Sequence, residues 1–93
     1  MTRPRILPSD TVRSYLLAEL GSRLGEYGCS TALVDQLSGG AVLWVDRTSP
    51  PQGGLCVRAV RHPDGWIYAW GRERVEARHP DEAAARIART VTG

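Results

Sequence analysis

The sequence predicts an α+β fold: a two-layer sandwich in the order helix, four or five antiparallel strands, helix, with both helices on one face of the sheet. Three observations carry this. Val12, Leu16, Leu20 and Leu24 recur every four residues near the start, a helical period. A block of β-type runs joined by short turns fills the middle, and consecutive strands joined in this way pair antiparallel. Ala83, Ala84, Ile87, Ala88 and Val91 then mark a second helical period with small residues on its apolar face.

The elements follow in order. Residues 1–8 carry prolines and arginines and read as an arm, ahead of a single domain over 9–93. Ser9 or Asp10 caps the first helix. Tyr15, Leu17 and Tyr27 widen its apolar stripe, and Glu19 stands four residues before Arg23 for an ion pair. Gly25 or Gly28 supplies the left-handed cap at its end. A strand over 30–37, a Ser38-Gly39-Gly40 turn and a more buried strand over 41–47 come next. Thr48 to Gly54 is a loop with two prolines and two glycines, the most mobile internal segment expected.

The most regular feature is the hairpin of residues 55–70. Two β-type runs flank Pro63-Asp64-Gly65, in which Pro63 pre-sets φ, Asp64 bonds its own backbone and Gly65 takes a positive φ. Its second run alternates, placing Trp66, Tyr68 and Trp70 on one face and Ile67 and Ala69 on the other. Residues 72–78 either extend this strand or form a short edge strand protected by charge. His79-Pro80-Asp81-Glu82 opens the last helix, with proline suited to the first turn and acids to the positive end of the dipole.

Composition narrows the function classes. Apolar residues make up 42% and charged residues 24%, as in ordinary globular domains. A chain of 93 residues buries about 60–65% of its unfolded surface, so the core is modest. All 12 basic residues are arginine, and lysine, asparagine and phenylalanine are absent, which points to a high-GC bacterial genome. The net charge of +2 is too small to attract nucleic acid by electrostatics alone. No run approaches the roughly 20 apolar residues of a membrane span, and the N-terminus lacks the apolar segment of a secretory signal. A cytoplasmic protein without a membrane anchor is expected.

No catalytic or metal constellation is legible. Cys29 and Cys56 are 27 residues apart, outside structural zinc spacings, and both read as inert packing residues in a reducing compartment. Arg-His-Pro-Asp occurs at 61–64 and again at 78–81. Its inner tripeptide is the signature of J-domain co-chaperones, where it joins two helices. Here one copy joins two strands and the other opens a helix, so the likeness ends at the tripeptide. His62 and His79 therefore read as turn and helix-start residues. Asp35 and Asp46 read as solvated strand ends. No enzyme, cofactor or metal is expected.

The candidate binding residues are Trp44, Arg58, Trp66, Tyr68 and Trp70. Trp44 joins the aromatic stripe from a neighbouring strand, and a symmetric turn brings Arg58 near Trp70 for a cation–π contact. The stripe is either the core facing the alanine-rich helix or an exposed recognition surface. Val34 alternates with Leu33, and Cys56 and Val60 with Leu55, Val57 and Ala59, so both sheet faces carry apolar groups. The face without helices is then expected to be covered in a homodimer or by a partner protein. The resulting expectation is a small non-catalytic interaction module, regulatory or accessory, acting through its sheet face. The alternative is a binder of a small ligand or single-stranded nucleic acid that uses an aromatic sheet face.

Overall fold

The computed structural model describes residues 9–36, 40–46 and 53–92, without the side chains of Ser9, Asp10 and Gln36. The expected arm over 1–8, most of the turn after residue 37 and most of the loop before Gly54 lie outside those residues. The described chain is α+β: α1 (Ser9–Glu26), β1 (Thr31–Gln36), β2 (Gly40–Asp46), β3 (Gly54–His62), β4 (Gly65–Trp70), β5 (Glu73–Glu76) and α2 (Pro80–Thr92). The strands form an antiparallel meander in sequence order. α1 lies over β1, β2 and β3, while α2 packs beside α1 and over β5.

The deepest row of α1 is Leu17, Leu20 and Leu24, all fully buried. Val12 and Leu16 of the every-fourth row are only half-buried, and Tyr15 and Tyr27 are exposed. At 3.6 residues per turn, a row with spacing four drifts about 40° per step, so it winds off the sheet. A row mixing three and four stays aligned.

The helix ends as the glycine signal predicts. Gly28 has φ +82°. Cys29 N–H donates to the Leu24 carbonyl and Gly28 N–H to that of Gly25, both at 3.0 Å. This is a Schellman cap, and the burial of Leu24 and Cys29 supplies its apolar contact. The β3–β4 hairpin turns at Pro63-Asp64, pairing His62 with Gly65, whose φ is +132°. β5 is a separate edge strand rather than an extension of β4, because the chain reverses between Trp70 and Glu73.

The pairing assigns the faces. Ala41, Leu43 and Val45 of β2, Val57 and Ala59 of β3, Tyr68 and Trp70 of β4, and Val75 of β5 meet the helices. Ala83, Ala84, Ile87 and Val91 of α2 complete this core. Large sheet residues thus face small helix residues, a combination that fills space well. Tyr68 is completely buried, and its hydroxyl donates to the Leu16 carbonyl of α1 at 2.8 Å. Burial, reinforced by the Glu19 charge and opposed by Arg23, pushes the phenol up to about 12. Arg23 pairs with Asp81 at 2.5 Å and with Glu19 at 3.7 Å, joining α1 to the start of α2. Arg86 bridges α2 and β5 through Glu73 at 3.3 Å.

Candidate interaction face

The side of the sheet without helices is built by strand alternation. Ala32 and Val34 come from β1, Val42, Trp44 and Asp46 from β2, and Cys56, Arg58, Val60 and His62 from β3. Ile67 and Ala69 from β4 continue it toward Arg74 and Glu76 of β5. Val34 is 43% exposed, Trp44 39% and Val60 36%, so this face carries large apolar side chains in water. Most strand valines in small domains are covered, and such a patch calls for an explanation.

Trp44 is held in place. Its Nε1 donates to Asp46 Oδ1 at 3.0 Å. Its ring lies on Gly54, where an added Cβ would fall among the indole atoms. Gly54 is thus the residue that lets an exposed indole lie flat against the neighbouring strand. A pre-ordered ring loses little rotamer entropy on binding.

Charge flanks the apolar strip. Cys56, Arg58, Val60, His62, Ile67, Ala69 and Arg74 contribute to one shallow depression along β3–β5. Among the described residues neither Arg58 nor Arg74 has a carboxylate partner. Cys56 is exposed on this face, unlike Cys29, whose burial raises its thiol pKa. The expectation that both cysteines are packing residues therefore holds for Cys29 and fails for Cys56. An apolar strand residue is buried only if its own side of the sheet is covered.

The five sequence-selected residues do not form one surface. Trp44 and Arg58 lie on the open side, whereas Trp66, Tyr68 and Trp70 lie on the helix side. Trp44 does not join the stripe because its partner is Cys56, one residue out of phase with Val57. Arg58 pairs with Ala69 and points away from the face of Trp70, so their expected cation–π geometry does not form. Tyr68 and Trp70 are core residues, and Trp66 is partly buried against that core. Trp70 Nε1 is buried with no hydrogen-bond partner among the described residues.

The residue that does meet an aromatic ring is Arg13, which the sequence reading passed over. Its guanidinium lies 5.6 Å from the Trp66 ring centre, and its Nε donates to the Ala59 carbonyl at 3.1 Å. Pairing of β2 with β3 runs from Leu43–Val57 to Asp46–Gly54, so Ala59 lies beyond it. Arg13 thus fills the place of a strand partner, at a small gap between Ala41, Val42 and Ala59. The sequence contained a signal: Arg13 is in phase with Leu17, Leu20 and Leu24, an odd place for a charge without a task.

A second groove of about 810 Å³ runs between Val12 and Leu16 of α1, the β3–β4 turn and β5, with Trp66 in its wall. His62 lines it as well, and its charged groups Asp64, Arg74, Glu76 and Arg78 mix both signs. His62 sits in the hairpin turn, and His79 lies 3.7 Å from Glu76 at the start of α2. Asp35 and Asp46 stand at opposite ends of the β1–β2 ladder. Among the described residues no three His, Cys, Asp or Glu side chains gather as a metal site, and no helix is long and apolar enough to cross a membrane. No family model, curated protein or solved structure matches this chain.

Proposed function

We propose that this chain is a non-catalytic interaction module, and that the open side of its sheet engages a partner protein. The observation that carries the reading is the pre-ordered, exposed Trp44 on the same open side as the exposed Val34 and Val60, with Arg58 and Arg74 on that side lacking carboxylate partners among the described residues. Trp and Arg at the centre of an apolar patch are the residue types that dominate interface energetics. The fitting partner presents an apolar segment with neighbouring carboxylates, which would satisfy the two guanidinium groups.

The stacked-ligand alternative has less support. It needs adjacent accessible rings, yet Tyr68 and Trp70 are enclosed by the helices. Trp44 and Trp66 keep some exposure but lie on opposite sides of the sheet.

The test is affinity capture from the native host, followed by binding of the purified captured protein to wild type, Trp44→Ala and Arg58→Glu. The reading expects one protein whose affinity falls at least tenfold with each substitution while the melting temperature is kept. Equal affinity for all three chains, or capture of nucleic acid alone, would overturn it.

A further inference from the structure

We infer that the outer edge of β1 pairs with the same edge of a second copy of this chain, giving an antiparallel two-fold dimer with one ten-stranded sheet. The two edges of the five-stranded sheet differ. β5 is four residues long, carries Glu73, Arg74 and Glu76, and is tied to α2 through Arg86. Short, charged edges resist pairing with other chains. β1 is six residues long, Thr-Ala-Leu-Val-Asp-Gln, with no lysine, proline or glycine. Leu33 and Val34 point to opposite sides of the sheet, and both are exposed, at 47% and 43%. One covering of the edge would shelter both, whereas a partner on either face would shelter only one.

The ladder fixes which backbone groups are free. Asp46 N–H donates to the Ser30 carbonyl at 3.0 Å, next to the Thr31–Val45 pair. In an antiparallel ladder the hydrogen-bonded pairs alternate. Ala32, Val34 and Gln36 therefore bond β2, while the N–H and C=O of Thr31, Leu33 and Asp35 point outward. Among the described residues no backbone group reaches them.

A two-fold axis normal to the sheet keeps the helices of both copies on the same side. Only registers that put like faces together survive, and centring the axis on Leu33 uses every free group. Leu33 then pairs with its own copy, and Thr31 pairs with Asp35 of the other chain twice. Three pairs give about six main-chain hydrogen bonds. On the helix side leucine meets leucine and threonine meets aspartate, and on the other side Ala32 meets Val34. Centring on Val34 would instead set Leu33 against Asp35, and centring on Asp35 would oppose two carboxylates. The pairing is self-complementary, as a two-fold interface must be.

The contact is small. An edge of six residues is about 20 Å long. The resulting interface falls below the roughly 1,000 Å² total of a stable complex, so the dimer is a weak one. It also makes the two open faces continuous, setting two Trp44 rings on one surface. The inference stands apart from the proposed partner-binding role, since it rests on the edge and not on the face.

The experiment is sedimentation of the full chain from micromolar to millimolar concentration, with amide hydrogen exchange followed by NMR at both limits. The expected result is a monomer–dimer equilibrium in which the amides of Thr31, Leu33 and Asp35 gain protection at high concentration. Those of Ala32 and Val34 are protected throughout. Leu33→Lys is expected to abolish dimerisation. Leu33→Pro, which removes an outward N–H and spares the bonds to β2, is expected to do the same. A monomer at all concentrations would overturn the inference. So would a dimer that leaves the three outward amides exchanging freely, which would place the contact on the open face.

Discussion

Replacing Trp70 by alanine tests the core assignment at its most vulnerable point. The side chain is 3% exposed and belongs to the cluster that joins the sheet to both helices. Truncating a buried tryptophan costs about 3–5 kcal/mol, as transfer and cavity terms together. Domains of this size hold about 5–15 kcal/mol in total. A loss of 1 kcal/mol moves the melting temperature of a 60–100-residue domain by about 4–8 °C, so the alanine variant should melt more than about 12 °C early or fail to fold. Trp70→Phe separates two contributions. It forfeits part of the packing, about 1–2 kcal/mol. It also removes a buried donor with no described partner, whose isolation costs about 1–3 kcal/mol. The two oppose each other, so Trp70→Phe should melt far closer to wild type than Trp70→Ala does. Thermal and urea unfolding followed by circular dichroism measures both variants. An alanine variant melting within about 2 °C of wild type would refute the burial argument. A phenylalanine variant as unstable as alanine would show that the indole N–H is satisfied.

Four further outcomes follow from three residues. Tyr68→Phe removes the hydroxyl bond to Leu16 and should cost about 1 kcal/mol in urea unfolding. The folded phenol titrates near 12 against a reference of 10.0, so its stabilisation is complete below pH 10 and is lost as pH rises toward 12. Unfolding free energy measured from pH 9 to 12 should fall in wild type, with a smaller fall in Tyr68→Phe. Gly28→Ala forces a Cβ into a φ of +82° and should cost about 1 kcal/mol in the same assay. Gly54→Val should displace the Trp44 ring and change its fluorescence, with the α2 core unaffected by NMR.

Much of the architecture was legible because it is written locally. The His62-Pro63-Asp64-Gly65 turn sets the β3–β4 register, and period-two alternation then places Trp66, Tyr68 and Trp70 on one side. The start of α2 at Pro80 follows from proline and two acids in the first turn. What the sequence left open depends on registers between strands joined by longer segments. Trp44 could not be assigned a side without the Trp44–Cys56 pairing across 47–53, a segment with no tight-turn signal. Arg58 belongs to the hairpin itself, and the two-residue turn pairs it with Ala69, on the side away from Trp70. Arg13 was missed for a related reason: it acts where β2 and β3 part, a feature no single segment encodes. Cys56 looked like a core residue from its apolar neighbours, but burial depends on where the helices lie.

The most direct test of the account places aspartate at Val60 and reads two quantities, the melting temperature and the affinity for the captured partner protein. Val60 is on the open side, away from the buried cluster, and substitutions on exposed surface usually cost no more than about 0.5 kcal/mol. The account predicts a folded Val60→Asp protein, melting within a few degrees of wild type, that no longer binds the partner. A variant that unfolds, or one that folds and binds as wild type does, would contradict the claim that this side of the sheet is the working surface.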